Sequence, residues 1–148
     1  MARGEASIRI DRTPDEVFAF VADAVNNPLW RKNVVRTEWL DAGTMGVGRR
    51  GRQTARVLGR EWTVEAEVVE WSPPGSAAWR TVQGPVTVRS WVRVAPAGSG
   101  SLVSGGADGG FKGPLGRLLT SLAVPRMIKQ AQLDLETLRD RLEAPEER

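Results

Sequence analysis

The chain has 148 residues, enough for one domain with a real hydrophobic core and too few for two. Its 41% hydrophobic and 26% charged residues are typical of a globular protein and exclude a disordered tail or a collagen-like repeat. It has no Cys, His or Tyr, which excludes disulfides, thiolate nucleophiles, Cys-ligated zinc and His-dependent triads. We therefore expect no metal site and no resident cofactor.

The formal net charge is +3, and a basic chain can indicate a nucleic-acid partner. Arg outnumbers Lys by 18 to 3 in a chain that is also rich in Gly and Ala, so we attribute this charge to coding bias. Residues 1–6 lack the apolar segment of a signal peptide, and no apolar run approaches the ~20 residues of a membrane span. We expect a cytoplasmic protein with no transmembrane segment.

The chain begins with a predicted strand and two short helices. Residues 7–11 alternate apolar and polar side chains, as a half-buried strand does. Thr13, Pro14 and Glu16 then form the pattern of a capping box, which predicts a helix starting at Pro14. Asn26, Asn27 and Pro28 end that helix and start a further helical turn carrying Leu29 and Trp30.

The middle of the chain is predicted to be an antiparallel sheet built from consecutive hairpins. Turn signals stand at Leu58-Gly59, Ser72-Pro73-Pro74-Gly75, Gly84-Pro85 and Ala97-Gly98-Ser99-Gly100. The strands expected between them cover residues 34–40, 49–57, 60–71, 77–83, 86–94 and 102–107.

A long helix closes the chain, after a glycine-rich segment, 105–113, that we expect to be a flexible hinge. This segment is no dinucleotide loop, because it lacks the GxGxxG spacing and lies in no βαβ unit. Pro125 must kink the helix or start a second one. We expect one domain over residues 1–143 and a frayed tail over 144–148. The positions at helical spacing are Leu115, Leu118, Leu119, Leu122, Ile128, Ala131, Leu135, Leu138 and Leu142.

The two strands around Leu58-Gly59 have a register fixed by charge. A two-residue turn there places Arg56 opposite Glu61, Arg52 opposite Glu65 and Arg50 opposite Glu67. The arginine cluster of residues 49–60 therefore favours a solvated, charge-paired outer face over a nucleic-acid groove.

The other face of the sheet is apolar but contains small residues and isolated polar groups, which favours a ligand cavity beneath the long helix. The residues expected to line this cavity are Arg49, Gln53, Trp62, Val64, Ala66, Trp79, Thr81, Gln83, Val88, Ser90, Gly105, Ala107, Leu119, Leu122 and Met127.

With these elements in order, the chain resembles the helix-grip fold of the START/Bet v 1-like (SRPBCC) superfamily, and its motifs resemble the bacterial polyketide cyclase/dehydrase branch. The matching stretches are 8–23, 27–30, 46–48, 69–74 and 133–138. The resemblance implies an α+β fold in which a curved antiparallel sheet wraps a long C-terminal helix, with two short helices after the first strand and an internal apolar cavity.

The resemblance implies little about chemistry, because members bind lipids, steroids, polyketides and hormones, and some cyclise or dehydrate polyketides. Three functions follow as expectations. The first is a binding or carrier protein for a small hydrophobic ligand such as a lipid, polyketide or aromatic metabolite. The second is a polyketide cyclase/dehydratase-type enzyme, and the third is a protein-interaction module.

Individual side chains leave alternatives open. Arg49 can pair with a ligand carboxylate or reach to solvent, and Gln53 can bind a ligand or a neighbour such as Thr81 or Ser90. Trp62 and Trp79 can stack on a flat ligand or serve as core. For an enzyme, proton transfer would fall to Asp108, a water molecule or Arg49. The alternative for Asp108 is a loop or cap role.

An exposed tryptophan surface would favour a protein partner. Trp91 is expected on the outer face, and Trp39 and Trp71 are expected to be partly exposed, which keeps a homodimer as an expectation.

Overall fold

The structure is a computed structural model that describes residues 2–144. Seven strands and three α-helices follow the predicted order, with strand ends that differ mostly by a few residues. In chain order they are β1 (Ala2–Ile10), α1 (Pro14–Val21), a 3-10 turn (Ala24–Asn26), α2 (Asn27–Trp30), β2 (Val34–Trp39), β3 (Arg50–Val57), β4 (Arg60–Ser72), β5 (Ser76–Gln83), β6 (Val86–Ala97), β7 (Gly100–Phe111) and α3 (Gly116–Glu143).

All seven strands form one antiparallel sheet in the order β1-β7-β6-β5-β4-β3-β2. Strands β2 to β7 pair with their sequence neighbours, which confirms the predicted series of hairpins. β1 pairs with β7, so the first and last strands lie side by side. Helix α3 packs mainly against these two strands, so the fold is the expected helix-grip arrangement.

The β3–β4 hairpin has the predicted register. Leu58 and Gly59 both have positive φ, +53° and +75°, as the favoured two-residue hairpin turns require. Arg52 pairs with Glu65 at 3.0 Å and Arg56 with Glu61 at 3.2 Å.

The third predicted charge pair differs in its partner. Arg50 stands opposite Glu67 in the ladder, but the carboxylate of Glu67 pairs with Arg80 of β5, at 3.3 Å. Glu38 of β2 also pairs with Arg52, at 3.3 Å, so the charged outer face extends over four strands, β2 to β5.

Two β-bulges between β4 and β5 alter the predicted faces. An extra residue at Val69 places Trp71 opposite Ala77, and an extra residue at Val82 places Gln83 opposite Glu65. Because a one-residue slip reverses the face of a side chain, Trp71 turns inward and Gln83 turns outward. Trp71 packs on Phe18 of α1, with ring centroids 5.2 Å apart.

The glycine-rich segment is not the hinge that we expected, because β7 continues through it to Phe111. Gly109 has φ +144°, and a Cβ there would lie 1.9 Å from the Thr87 carbonyl oxygen. A Cβ at Gly110 would lie 2.6 Å from Thr120 Oγ1 of α3. These glycines are needed for close approach of β6 and α3 to the strand.

The helices begin and end largely as predicted. Thr13 caps α1 by accepting a hydrogen bond from the Glu16 amide at 3.3 Å. Pro125 lies inside one continuous 28-residue helix, so no second helix starts there. The tail predicted for 144–148 falls, apart from Ala144, outside the described residues.

Trp91 is buried, with 7% of its surface exposed, and this corrects its expected role as a partner surface. It stands opposite Gly106, where a Cβ would come within 2.5 Å of the indole ring. The ring therefore lies against the strand where Gly106 has no side chain. Trp39 and Trp71 are partly exposed, as predicted.

Candidate functional site

The hydrophobic core fills only one half of the concave face of the sheet. We call this part the packed half. Its side chains pack against α1 and against Leu135 and Leu138 of α3. Its strand residues all have 6% exposure or less: Val68, Ala77, Val92, Val94 and Val103.

Further along the same face, each of these strands changes from buried to partly accessible. On β6, for example, Val92 is buried whereas Val88 retains accessible surface, although both side chains point to the same side. We call this second region the open half. Its residues are Trp62, Val64, Ala66, Trp79, Thr81, Val86, Val88, Ser90, Gly105 and Ala107.

The far end of the open half is closed by two aromatic rings. Trp62 of β4 meets Phe111 of β7 edge to face, with ring centroids 5.0 Å apart. These strands are separated by β5 and β6, so the contact requires the sheet to curl. The open half therefore lies between the packed core and this aromatic pair, as an apolar binding space would.

A polar corner lies at the β3 side of this space. Gln53 Oε1 accepts hydrogen bonds from Asn27 Nδ2 at 2.9 Å and from Thr37 Oγ1 at 3.1 Å. Neither Thr81 nor Ser90, the partners considered from sequence, makes this contact. The pairing fixes the start of α2 over β3, so the oxygen of Gln53 already has protein donors.

Thr81 is also engaged by the protein. Its hydroxyl donates to the Val86 carbonyl at 3.1 Å and accepts from the Val88 amide at 3.0 Å. This bridge holds β5 to β6 beyond Arg80, the last residue of their regular pairing. Ser90 stands between Trp79 and Ala107 in the sheet.

The two inward tryptophans differ in their hydrogen bonding. The Trp62 indole N–H donates to the Val57 carbonyl at 3.0 Å. The Trp79 indole nitrogen is buried and has no acceptor among residues 2–144. A buried donor without an acceptor is costly, so Trp79 is the more suitable of the two to donate to a ligand oxygen.

Arg49 is held by its own loop. Its side chain is 15% exposed, and its Nε lies 3.3 Å from Asp41 Oδ1. Its guanidinium lies over the Trp39 ring, 4.2 Å from the ring centroid, and contacts the Met45 sulfur. These contacts stabilise the segment between β2 and β3. The Arg49 side chain therefore does not extend freely into solvent, and its charge is already paired within the protein.

Two predicted site residues lie outside this space. Asp108 falls within β7, opposite Arg89 of β6, and alternates with the inward-facing Ala107. It therefore points to the outer face, and its role as a general base at the cavity rim is wrong. Gln83 is exposed and stands opposite Glu65, so the bulge at Val82 removes it from the cavity lining.

The three residues of helix α3 that were expected to line the cavity differ in exposure. Leu119 is half-buried, whereas Leu122 is 50% and Met127 46% exposed. Leu122 and the 58% exposed Leu118 lie one turn apart and share one stripe of the helix. The lining role of Leu122 and Met127 stays a prediction.

A group of residues that sequence reasoning missed lies where α2 meets α3. Asp134 of α3 is buried, and its Oδ1 accepts from the Lys32 amide at 3.1 Å and from Gln130 Nε2 at 2.8 Å. Next to Lys32, the Arg31 guanidinium lies 5.7 Å from the Trp30 ring centroid. Burial lowers the pKa of Arg31, and the charge of Asp134 partly opposes that shift.

Two surface clefts lie away from the centre of the open half. One, of about 280 Å3, is lined by α1 and the β4–β5 turn, including Phe18, Trp71 and Pro74. The other, of about 260 Å3, lies beside the bulge at Val82 and is lined in part by Val64 and Gln83. Both open to the surface, and neither contains a group of buried unpaired donors.

The described part of the chain, residues 2–144, contains no helix long and apolar enough to cross a membrane. A search of curated proteins finds no significant match to this sequence.

Solved structures with the same fold are numerous. A protein from Thermus thermophilus has a TM-score of 0.81 at 21% identity, covering 95% of this chain and 97% of that chain. A START superfamily protein from Mycobacterium smegmatis has a TM-score of 0.78 at 15% identity, with 95% and 98% covered. The Zhui aromatase/cyclase from a Streptomyces species has a TM-score of 0.74 at 16% identity, with 96% and 93% covered.

Sequence comparison gives the family directly. A family model described as polyketide cyclase / dehydrase and lipid transport matches residues 1–143, nearly the whole chain. This chain belongs to the polyketide cyclase / dehydrase and lipid transport family.

Proposed function

We propose that this protein binds one small hydrophobic molecule, such as a lipid, polyketide or aromatic metabolite, in the open half of the sheet. The observation that carries the proposal is the change from buried to accessible at the same level of four adjacent strands. A packed domain fills such a face with side chains, because each accessible apolar surface forgoes about 25 cal/mol per Å2 of burial. A ligand would supply the missing apolar contacts.

Binding is favoured over catalysis by the positions of the charged groups. A cyclase or dehydratase needs an acid or base near the reacting carbon, but the residues of the open half include no Asp or Glu. The two candidates from sequence are engaged elsewhere: Asp108 faces outward and Arg49 pairs with Asp41. Carriage of a ligand needs none of these groups.

The binding proposal is tested by native mass spectrometry with a pool of fatty acids, sterols and aromatic polyketides. We expect a one-to-one adduct with the wild-type protein. Ala66→Trp fills the open half and should abolish the adduct. Ala95→Trp places the same ring at an exposed position of β6 and should leave it unchanged.

Gly105→Leu is a second filling variant, because a Cβ there meets only the Trp91 carbonyl oxygen, at 3.8 Å. It keeps the test informative if Ala66→Trp fails to fold. Absence of an adduct from folded wild-type protein, or an adduct that persists in a folded filling variant, would overturn the proposal.

A further inference from the structure

Arg31 has a charged side chain without a direct hydrogen-bond or ion-pair partner, although the charge of Asp134 acts on it from beyond ion-pair distance. Among residues 2–144 its guanidinium makes no side-chain hydrogen bond and no ion pair, and its one ring contact is with Trp30. The nearby carboxylate, Asp134, uses the same oxygen for the Lys32 amide and the Gln130 side chain. A guanidinium offers five N–H donors and normally meets a carboxylate with two of them.

The surroundings of Arg31 place it beside the binding space. Asn27, one helical turn before Arg31, donates to Gln53, which shares the inward face with Val64 of the open half. Asp134 brings α3 to the other side of the group. Burial lowers the pKa of Arg31 although the residue keeps partial accessible surface.

Two indole donors that pack against the core also lack acceptors among the described residues. The indole nitrogens of Trp30 and Trp79 are buried, and neither has a hydrogen-bond partner among residues 2–144. Both rings pack against the same core. A buried donor without an acceptor costs free energy, and an unpaired buried charge costs more. An excess of donors over acceptors is suited to an oxygen-rich, negatively charged group.

We infer that Arg31 anchors the carboxylate of a hydrophobic acid, with the Trp30 indole N–H as a further donor and the hydrocarbon part in the open half. This inference rests on the proposed function and specifies its ligand class. The carboxylate would supply the two acceptors that the guanidinium lacks. The apolar lining of the open half would take up the rest of the molecule.

The test compares two acids with their neutral esters. The probes are cis-parinaric acid and its methyl ester, and 2-naphthoic acid and methyl 2-naphthoate, with binding followed by tryptophan fluorescence. We expect the wild-type protein to bind at least one acid about tenfold more tightly than its ester, the size of one charge-assisted contact.

Arg31→Gln should remove this preference by weakening the acid alone, whereas Arg31→Lys should keep part of it. The control is Arg36→Gln, on an exposed residue of β2, which should leave both affinities unchanged. Arg31→Gln also removes the cation nearest to the buried Asp134, so we expect a modest fall in Tm for this variant and a smaller one for Arg31→Lys.

The possible failures are distinguishable. Equal affinity for acid and ester in the wild-type protein, or a preference that survives Arg31→Gln, overturns the anchor and leaves the proposed function standing. Binding of neither probe pair and no adduct from the ligand pool overturns both. A large fall in Tm for Arg31→Gln assigns Arg31 a structural role instead.

Discussion

Truncation of two valines on one strand gives a direct comparison of the packed and open halves. Val92 and Val88 lie on the same face of β6, four residues apart, and Val92 is 6% exposed whereas Val88 keeps partial accessibility. The same change, Val to Ala, therefore removes the same atoms from two different environments.

The expected costs differ because only one site is closely packed. Loss of the outer carbon atoms of Val92 forgoes about 1.6 kcal/mol of transfer free energy, at ~0.8 kcal/mol per carbon group. The cavity left in a closed core adds about 1 kcal/mol, for a total of about 2.5 kcal/mol. Val88→Ala only enlarges an existing space, so we expect a loss below about 1 kcal/mol.

The assay is urea unfolding of both variants and the wild-type protein, followed by tryptophan fluorescence and supported by thermal scans. A difference of about 1.5 kcal/mol corresponds to a Tm difference of about 3–6 °C for a chain of this size. Equal losses of 2 kcal/mol or more at both positions would refute the reasoning, because the open half would then be packed as tightly as the core.

Three further predictions follow from single contacts. Gln53→Leu leaves two donors, Asn27 and Thr37, without their shared acceptor, so we expect a loss of about 1–3 kcal/mol in urea unfolding, with Gln53→Glu retaining more stability. Gly109→Ala forces a Cβ against the Thr87 carbonyl at φ +144° and should cost about 2 kcal/mol or more, visible as a lower Tm; an unchanged Tm would contradict the strand geometry. Trp91→Ala empties a buried position and should cost about 3 kcal/mol; a change in oligomeric mass at unchanged stability, measured by light scattering, would instead make Trp91 an interface residue.

The register of the β3–β4 hairpin was predictable because charge and turn signals agree. Arg52 and Glu65 stand opposite each other when the turn is centred on Leu58-Gly59, and these two residues favour a two-residue turn there. The bulges at Val69 and Val82 have no comparable signal in the sequence. They turn Trp71 inward and Gln83 outward, which is why the expected inward orientation of Gln83 was wrong.

The prediction that Asp108 lies at the cavity rim was wrong for a related reason. The glycines around it favoured a loop, yet tertiary approach by Thr87 and Thr120 requires glycine inside a continuous strand. Local propensity therefore pointed to a hinge where close packing keeps the chain extended.

One residue of the group around Arg31, Asp134, could have been singled out from the sequence. Asp134 lies in the apolar stripe of α3, between Ala131 and Leu138, and a carboxylate there needs donors from another element. Gln130, one turn earlier on the same helix, supplies one donor. The other donor, the Lys32 amide, is 102 residues away in sequence and could not be identified from sequence alone. It also could not show that Arg31 makes no direct ion pair among the described residues.

The claim that the open half is the binding site is tested most directly by 15N NMR of the six tryptophan indole N–H groups during ligand titration. Trp62 and Trp79 lie in the open half, whereas Trp91 lies on the outer face. With the ligand found by mass spectrometry, we predict saturable shifts at Trp62 and Trp79 and an unchanged signal at Trp91. Shifts confined to Trp91, or no shift at Trp62 and Trp79 under saturating ligand, would contradict it.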